Sequence, residues 1–535
     1  MGLNGFYNYS DNNYKIRDVP NATFEEGVFV ENVIDTRRFH DVHRSFSVEG
    51  QAEIYNKKWA DLLSVAVSYT DRFDEIQHGP RLSRRPYGEV EILSDQWVGI
   101  VKYSKRFGER WDFSQKSSFS LTRTFVDDST MNIYDWNGNL LPSSDRGGAE
   151  IGNPTNRRGT TVSTTHRSTV HYTFHEKHYL VASNFFGYNE VSGKDPYVIP
   201  VTVGNSTIDP NQIKSPLRRN IFGLQYEATW LKGGQLTSTA FYKHYHVNGE
   251  TVNFSFTGGA VRDKLSVVSI KKSYHGGGVG FKYNLNKRFF LRTSYERTIR
   301  IPSISEFFGN FATIAQNQEL LPERGHNGNL GVNFKTRKNT NVRFDVDLNA
   351  FIRDQQDRIR LDAPSPNFSQ FINDERVLSR GAELTTNVWP VKNLKFNLNF
   401  TYQRVTITDT DKDDESTIGF DLPNISDLFF NTSVSYTIPT LFNQDDQLKF
   451  SWDYFFVDRF SIAFVKDLDT ANPANIVPVQ HDHAVGLSYT DTGKGLTFSA
   501  RLNNVFDRIL FDNFRAPKPS RNIMFKILYQ LNKNR

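Results

Sequence analysis

Cysteine is missing from all 535 residues, which excludes a disulfide framework and any chemistry carried by a thiolate. No run of 18 apolar residues occurs, so the chain encodes no membrane-spanning helix of ordinary length. Proline- and serine-rich linkers are absent, and composition does not shift along the chain. Length alone would suggest several soluble domains, but this uniform texture leads us to expect a single domain over residues 1–535. Charge of one sign is lacking too. The 64 basic and 59 acidic side chains leave a net charge of +5, too diffuse for a nucleic-acid surface. The opening, MGLNGFYNYSDNNYKI, has neither the cationic nor the apolar region of a signal peptide.

Aromatic side chains are plentiful, with 44 Phe and 23 Tyr, and many recur with a period of two. In KNLKFNLNFTYQR (392–404), Leu394, Phe396, Leu398, Phe400 and Tyr402 alternate with Lys395, Asn397, Asn399, Thr401 and Gln403. Successive side chains leave opposite sides of an extended chain, so this is a strand with one apolar and one wet face. The pattern returns in 341–352, where Val342, Phe344, Val346, Leu348 and Ala350 oppose Arg343, Asp345, Asp347 and Asn349. It returns again in 430–438, in 447–454 and in the terminal RNIMFKILYQL. About 20 strands are expected on this periodicity, from 3–14 to 520–531.

Connections between these strands alternate in length. Short ones fall at 55–58, 107–110, 175–178, 232–235, 285–288, 336–339, 390–393 and 491–495, and long ones include 15–42, 127–158, 248–266, 300–326 and 354–375. An antiparallel meander elaborated at one end matches a transmembrane β-barrel, whose strands need about 9 to 11 residues. A soluble β-sandwich or propeller also alternates. However, many of these strands run to about a dozen residues or more, against about 5 or 6 in globular sheets. Facing the other way, Arg343, Asp345 and Asp347 would meet lipid, at about 2 to 4 kcal/mol for an arginine at the midplane. The expected fold is an all-β, up-and-down antiparallel barrel in contact with outer-membrane lipid. Both termini lie on the periplasmic side, and the strand-like stretch 24–34 forms a hairpin inside the first long loop.

Chemistry along the chain is sparse. Asp409, Asp411 and Asp413 stand at calcium-loop spacing, but Asp414 occupies the glycine position and Phe420 that of the bidentate glutamate. This makes 408–416 a solvated loop. His171, His175 and His178 straddle a predicted turn, and His481 and His483 begin a strand, so neither set is read as a metal site. The glycines of HGGGVGF (275–281) precede no helix, which removes a phosphate-cradling role and leaves relief of crowding in the sheet. With no Ser/His/Asp arrangement on a recognisable scaffold, no enzyme is expected, and no catalytic, cofactor or metal residue is assigned. Loop residues Tyr134, Trp136 and Arg146, and Phe307, Phe308 and Phe311, either meet an external ligand or pack the loops together.

RTSYERTIRIPSISEFFG (292–309) and NQELLPERGHNGNLGVNF (317–334) resemble the mid-barrel signature of TonB-dependent outer-membrane receptors. Arg300, Pro302, Glu306, Phe307 and Gly309 carry the first part, and Leu321, Pro322, Glu323, Asn329 and Gly331 the second. LNNVFDRILFDNF (502–514) resembles the family's penultimate-strand element through Asn504, Phe506 and Asp507. FYNYSDNNYK, RRFHDVHRS and NKKWAD are similar to the early barrel of Bacteroidetes-type members.

The resemblance implies a wide barrel around a plug, worked by the TonB complex, that imports iron-siderophores, cobalamin, glycans or peptides captured by the long loops. Against that pattern the chain is expected to hold about 20 of about 22 strands, starting at the foot of the third, without a plug or TonB-contacting segment. PKPSRN stands where Pro-Gly-Arg is usual, and NKNR follows the last strand. The functional expectation is the barrel of such an importer, with a passive pore or a non-functional remnant as the alternative. Because lipid tolerates no unpaired edge, strands 3–14 and 520–531 are expected to pair and close a smaller barrel.

Overall fold

A computed structural model of the chain describes residues 1–79, 82–142, 149–151, 154–197, 201–203, 206–209, 212–257, 260–309, 314–336, 340–365, 368–410 and 417–530. Its main feature is one sheet of 20 antiparallel strands. Strand follows strand in chain order, from Gly2–Ser10 beside His43–Lys57 to Leu496–Asn503 beside Asn522–Tyr529. Lengths range from 8 residues at the C-terminal end to 25 in Ala260–Asn284, so every expected strand is present.

The register shows which way each face points. Phe344, Val388, Phe396, Val434, Trp452, Val485, Leu502 and Ile523 lie side by side across eight strands. On the opposite face, Asp345, Asn387, Asn397, Ser433 and Asp453 form a polar row. Polar atoms there bond to one another: the Asn397 amide donates to Asn387 at 3.2 Å and the Asn399 amide to Asn431 at 2.8 Å. The total accessible surface is 31312 Å², against about 20,000 Å² for a compact soluble protein of this mass. The difference reflects the lack of a central core among the described residues. The buried apolar clusters consist of loop residues and of strand residues beneath loops. Near the short turns, Trp111 stacks on Tyr172 at 4.2 Å, and Phe174, Tyr226 and Trp230 continue an outward aromatic girdle, as expected where a barrel meets a membrane surface.

Three regions extend or correct the expectations. The strand-like stretch 24–34 belongs to a longer hairpin, Lys15–Glu25 with Val28–Arg37, turned by Glu26 at φ 49° and Gly27 at φ 86°. Two successive positive φ values make a turn whose twist matches the flanking strands. The expected long loop at 248–266 is mostly ladder, because Leu236–Thr257 and Ala260–Asn284 continue to pair beyond a register shift at Phe254/Phe256. The β-branched and aromatic composition persists through that stretch.

Closure differs most. Among the described residues no pairing joins Gly2–Ser10 to Asn522–Tyr529, and both edge strands are exposed along most of their length. Among the described residues the two ends meet at the outer rim alone. There Arg17 pairs with Asp507 at 2.9 Å, Ser520 Oγ donates to the Lys15 carbonyl at 2.8 Å, and Tyr14 reaches the Pro517 carbonyl at 3.4 Å. Strand number, tilt and stagger set a barrel's circumference together, and the curvature shared by the 20 strands leaves a seam below that rim.

The facing makes a direct prediction. Leu398→Arg puts a guanidinium among the outward row and is expected to weaken membrane insertion by about 2 to 4 kcal/mol. Asn399→Arg, one residue along and inside, should leave it nearly unchanged. Urea titration of refolding into vesicles measures both.

Candidate functional site

The strand Phe289–Arg300 ends with Arg300 on the inner face, directly across the ladder from Glu323. The chain then leaves the sheet through Ile301 and Pro302, both buried, since proline has no N–H to continue a ladder. Ser303 caps the five-residue helix Ile304–Phe308 with a complete capping box. The Glu306 N–H donates to Ser303 Oγ at 3.3 Å, and the Glu306 carboxylate accepts from the Ser303 N–H at 2.6 Å. Gly309, at φ 64°, ends the helix in the left-handed region that glycine enters without a Cβ penalty.

That turn of helix does not project outward. Phe307 and Phe308 are each 1% exposed, packed with Leu320 and Ile359 against Leu217, Tyr245, Val247 and Ile270. The last four belong to the inner face of three strands, so the loop folds back onto the inner wall. Arg300 holds it there, reaching Glu306 at 3.0 Å and Glu323 at 2.6 Å. Glu323 also accepts from the Gln355 amide at 2.7 Å and from the Ile359 N–H at 2.9 Å, which joins the next loop to the same point. Burial alone would raise the Glu306 carboxyl, but the Arg300 guanidinium and the Ser303 N–H outweigh it and hold it below the ordinary glutamate value.

Below this latch the inner wall opens into a hollow of about 580 Å³ lined by Thr239, Glu296, Thr298, Asn327, Arg353 and Gln355. Lys243 pairs with Glu296 at 2.8 Å, and the Arg353 guanidinium lies 4.5 Å from the Phe351 ring centre. Arg292 reaches Asp347 at 2.6 Å by crossing Gly331, where an added Cβ would stand 2.5 Å from its Nε. Gly278 plays a similar part: a Cβ there would lie 2.5 Å from the Tyr295 carbonyl and 2.8 Å from the Phe241 ring. The glycines of 275–281 thus relieve crowding. The wall offers a ligand carboxylates, guanidinium groups, amides and hydroxyls.

The motif residues converge, and most other candidates do not. Arg300, Glu306 and Glu323, separated in the sequence, form one ionic network. Asn504 and Asp507 organise the last long loop, Asn504 Oδ1 accepting from the Arg508 N–H at 2.9 Å and Asp507 from the Arg521 N–H at 3.0 Å. Trp136 is fully buried against Ile16 and Val19, with its indole N–H donating to the Ser83 carbonyl at 2.9 Å, and Tyr134 bonds Glu89. These aromatics, like Phe307 and Phe308, pack loops together. Arg146, Phe311 and residues 411–416, including Asp411, Asp413 and Asp414, lie outside the described residues. Asp409 ends a strand, and Phe420 packs beside Val405, Ile407 and Leu422.

His171 faces inward, 4.0 Å from Asp112, while His178 joins the outward girdle beside Tyr226. His481 and His483 stack on Tyr454 on the outward face. Sequence reasoning missed Leu217, Tyr245, Val247 and Ile270. Their signal is an apolar residue at an inward position, where the alternation calls for a polar one.

Removing Glu306 should free the helix. Glu306→Ala leaves Arg300 paired with Glu323 and is expected to cost about 1 to 2 kcal/mol of loop docking, because a half-exposed guanidinium is partly screened. Its depressed carboxyl pKa contributes docking stability above the ordinary glutamate value, lost as pH falls through the folded-state value. A spin label at Ser305 should therefore gain mobility in the variant at neutral pH, and in the unsubstituted chain only under acid.

No curated protein matches the sequence. Among solved structures, the chain is similar to the copper transporter OprC, with a TM-score of 0.71 and 12% identity over 98% of this chain and 75% of that one. It is similar to the FrpB iron transporter from Neisseria meningitidis (F3-3 variant), with a TM-score of 0.69 and 14% identity over 99% and 77%. A third likeness is to BauA, the ferric preacinetobactin receptor from Acinetobacter baumannii, with a TM-score of 0.64 and 15% identity over 98% and 79%. At such identities these likenesses establish the fold. The family model described as TonB dependent receptor-like, beta-barrel matches residues 35–505. The chain belongs to that family of outer-membrane receptor barrels.

Proposed function

We propose that this barrel takes up a scarce nutrient, an iron-siderophore, cobalamin, a glycan or a peptide, in a TonB-dependent manner, after capture by the long loops. The observation that carries the reading is the inward-folded helix Ile304–Phe308, packed with Leu320 against the inner wall. Held by Arg300, Glu306 and Glu323, it lies on the inner wall beside a polar hollow that an entering cargo would meet. Such a wall exchanges hydrogen bonds with a polar cargo at little net cost. The ferric preacinetobactin named for one structural neighbour is a cargo of the first of these classes, while the copper and iron named for two others are metals.

A passive pore is the second reading. It is favoured by the extent of the inner wall that stands uncovered, part of the 31312 Å² of accessible surface. Energy dependence separates the two. Deleting the gene should abolish growth on one limiting nutrient, and uptake of that nutrient should stop when TonB is removed or the proton gradient is collapsed. Uptake that survives both treatments, with ohmic conductance of the purified protein in planar bilayers, would establish the pore instead.

A further inference from the structure

Five charged side chains line the hollow on the inner wall, Glu296, Arg300, Glu323, Arg324 and Arg353, and four of them are matched. Glu296 pairs with Lys243, Arg300 with Glu323, and Arg324 with Asp357 at 2.6 Å. Arg353 has no ion pair among the described residues. Its neighbours across the ladder are Asn327 and Ser379, neither of them acidic. An exposed arginine needs no partner in water, so the surroundings decide whether this one waits for a ligand.

Those surroundings are built. The Phe351 ring beneath the guanidinium holds it by cation–π attraction and leaves its N–H edges to a planar carboxylate. On the two adjoining strands the Asn327 amide donates to Thr298 Oγ1 at 3.4 Å and the Asn329 amide to Ser294 Oγ at 3.2 Å, both longer than a well-formed bond of about 2.9 to 3.0 Å. Bonds so loose are readily exchanged for those of an incoming hydroxyl.

Beside Ser294 in the ladder stands Gly280. At Gly276 and Gly278 an added Cβ would lie 2.8 Å and 2.5 Å from a carbonyl oxygen, but at Gly280 it would meet nothing closer than 3.8 Å. Crowding does not account for this glycine. Its missing side chain instead leaves the floor of the hollow open. Gly280, Ser294, Asn329 and Arg353 stand on four adjacent strands, about 14 Å across at about 4.8 Å per strand.

An unpaired guanidinium among amides and hydroxyls selects a ligand with one carboxylate and several hydroxyls. A bare metal ion would find Glu296 and Glu323 already engaged by cations, and a chelate of high negative charge would find Arg353 alone unmatched among the described residues of the lining. We propose that the hollow receives an acidic sugar unit of a glycan. Its carboxylate lies on Arg353 and its hydroxyls on Asn327, Asn329, Ser294 and Thr298, with the ring over Gly280. The hollow's 580 Å³ falls within the range of about 300 to 1,000 Å³ usual for small-molecule sites. This assignment rests on the importer reading and narrows its cargo to an acidic glycan.

Calorimetric titration of the purified full chain, in detergent micelles, with trigalacturonate, its methyl ester and ferric citrate tests it. Trigalacturonate should bind about 10- to 100-fold more tightly than the neutral ester, as expected for one charge-assisted bidentate contact, and Arg353→Gln should remove that difference. Gly280→Leu, at a position with room for a side chain, should block trigalacturonate. Heat-modifiable gel mobility checks that both variants fold. Equal binding of acid and ester by the unsubstituted chain, binding of ferric citrate in place of the sugar acid, or binding of none of the three would overturn the proposal whether or not the variants fold. Unchanged selectivity in a folded Arg353→Gln chain would overturn it too. Energised uptake is measured separately on cells. TonB-dependent uptake of another nutrient without trigalacturonate binding would strike this proposal alone, and trigalacturonate binding with uptake that survives loss of TonB would strike the importer reading alone.

Discussion

An unpaired backbone N–H or C=O in hydrocarbon costs several kcal/mol, and most of this architecture follows from avoiding it. A chain without a long apolar run cannot satisfy its backbone within a helix that spans the membrane, so it does so between strands. Twenty strands are needed in series because each leaves one edge for the next. Once they pair, the two-residue period sorts side chains into an outward row such as Phe344, Val388, Phe396 and Val434 and an inward row such as Asp345, Asn387 and Asn397. The seam between Gly2–Ser10 and Asn522–Tyr529 is the one place where the described residues leave the constraint unmet in the wall. The ion pair and hydrogen bonds there all lie at the rim.

The two ends of the barrel obey different rules. At the short-turn end, aromatic girdle residues meet the membrane surface and the chain reverses in a few residues. At the other end, loops are long enough to build small cores of their own, and the largest of these lies against the inner wall. The Arg300 guanidinium is the hinge point of that arrangement. It ends one strand, pairs with the first residue of the next and grips the capping-box glutamate of the helix between them. One side chain thereby couples strand register to loop position at the mouth.

Much of the fold could be read directly, because period-two alternation is a local property. Leu394 to Tyr402 announce their facing without reference to any partner, and even the loop hairpin near 24–34 showed in its composition. Closure could not be read, since whether two edges meet depends on curvature summed over the whole ring, to which no single residue testifies. The extended ladder of Leu236–Thr257 with Ala260–Asn284 was hidden because Asn248, Gly249 and Glu250 interrupt its β-branched and aromatic residues with a turn-like run. At the site, the residues of the latch were visible as motif positions. That Arg300, Glu306 and Glu323 bond to one another was not, because the contact crosses a long loop. Its apolar seat is of the opposite kind: Leu217, Tyr245 and Val247 are apolar at inward positions, and such lapses in alternation mark where a loop covers the inner wall.

The facing of these strands decides whether they form a transmembrane wall, and the lack of cysteine makes that facing easy to measure. Single cysteines introduced at each position from 394 to 402, spin-labelled in reconstituted vesicles, report the accessibility of oxygen, which concentrates in lipid, and of a polar nickel chelate, which stays in water. A transmembrane wall predicts that the two accessibilities alternate with a period of two residues and in opposite phase, oxygen highest at 394, 396, 398, 400 and 402. Accessibilities that rise and fall together, or that show no alternation, would contradict it and return the chain to a soluble β-fold.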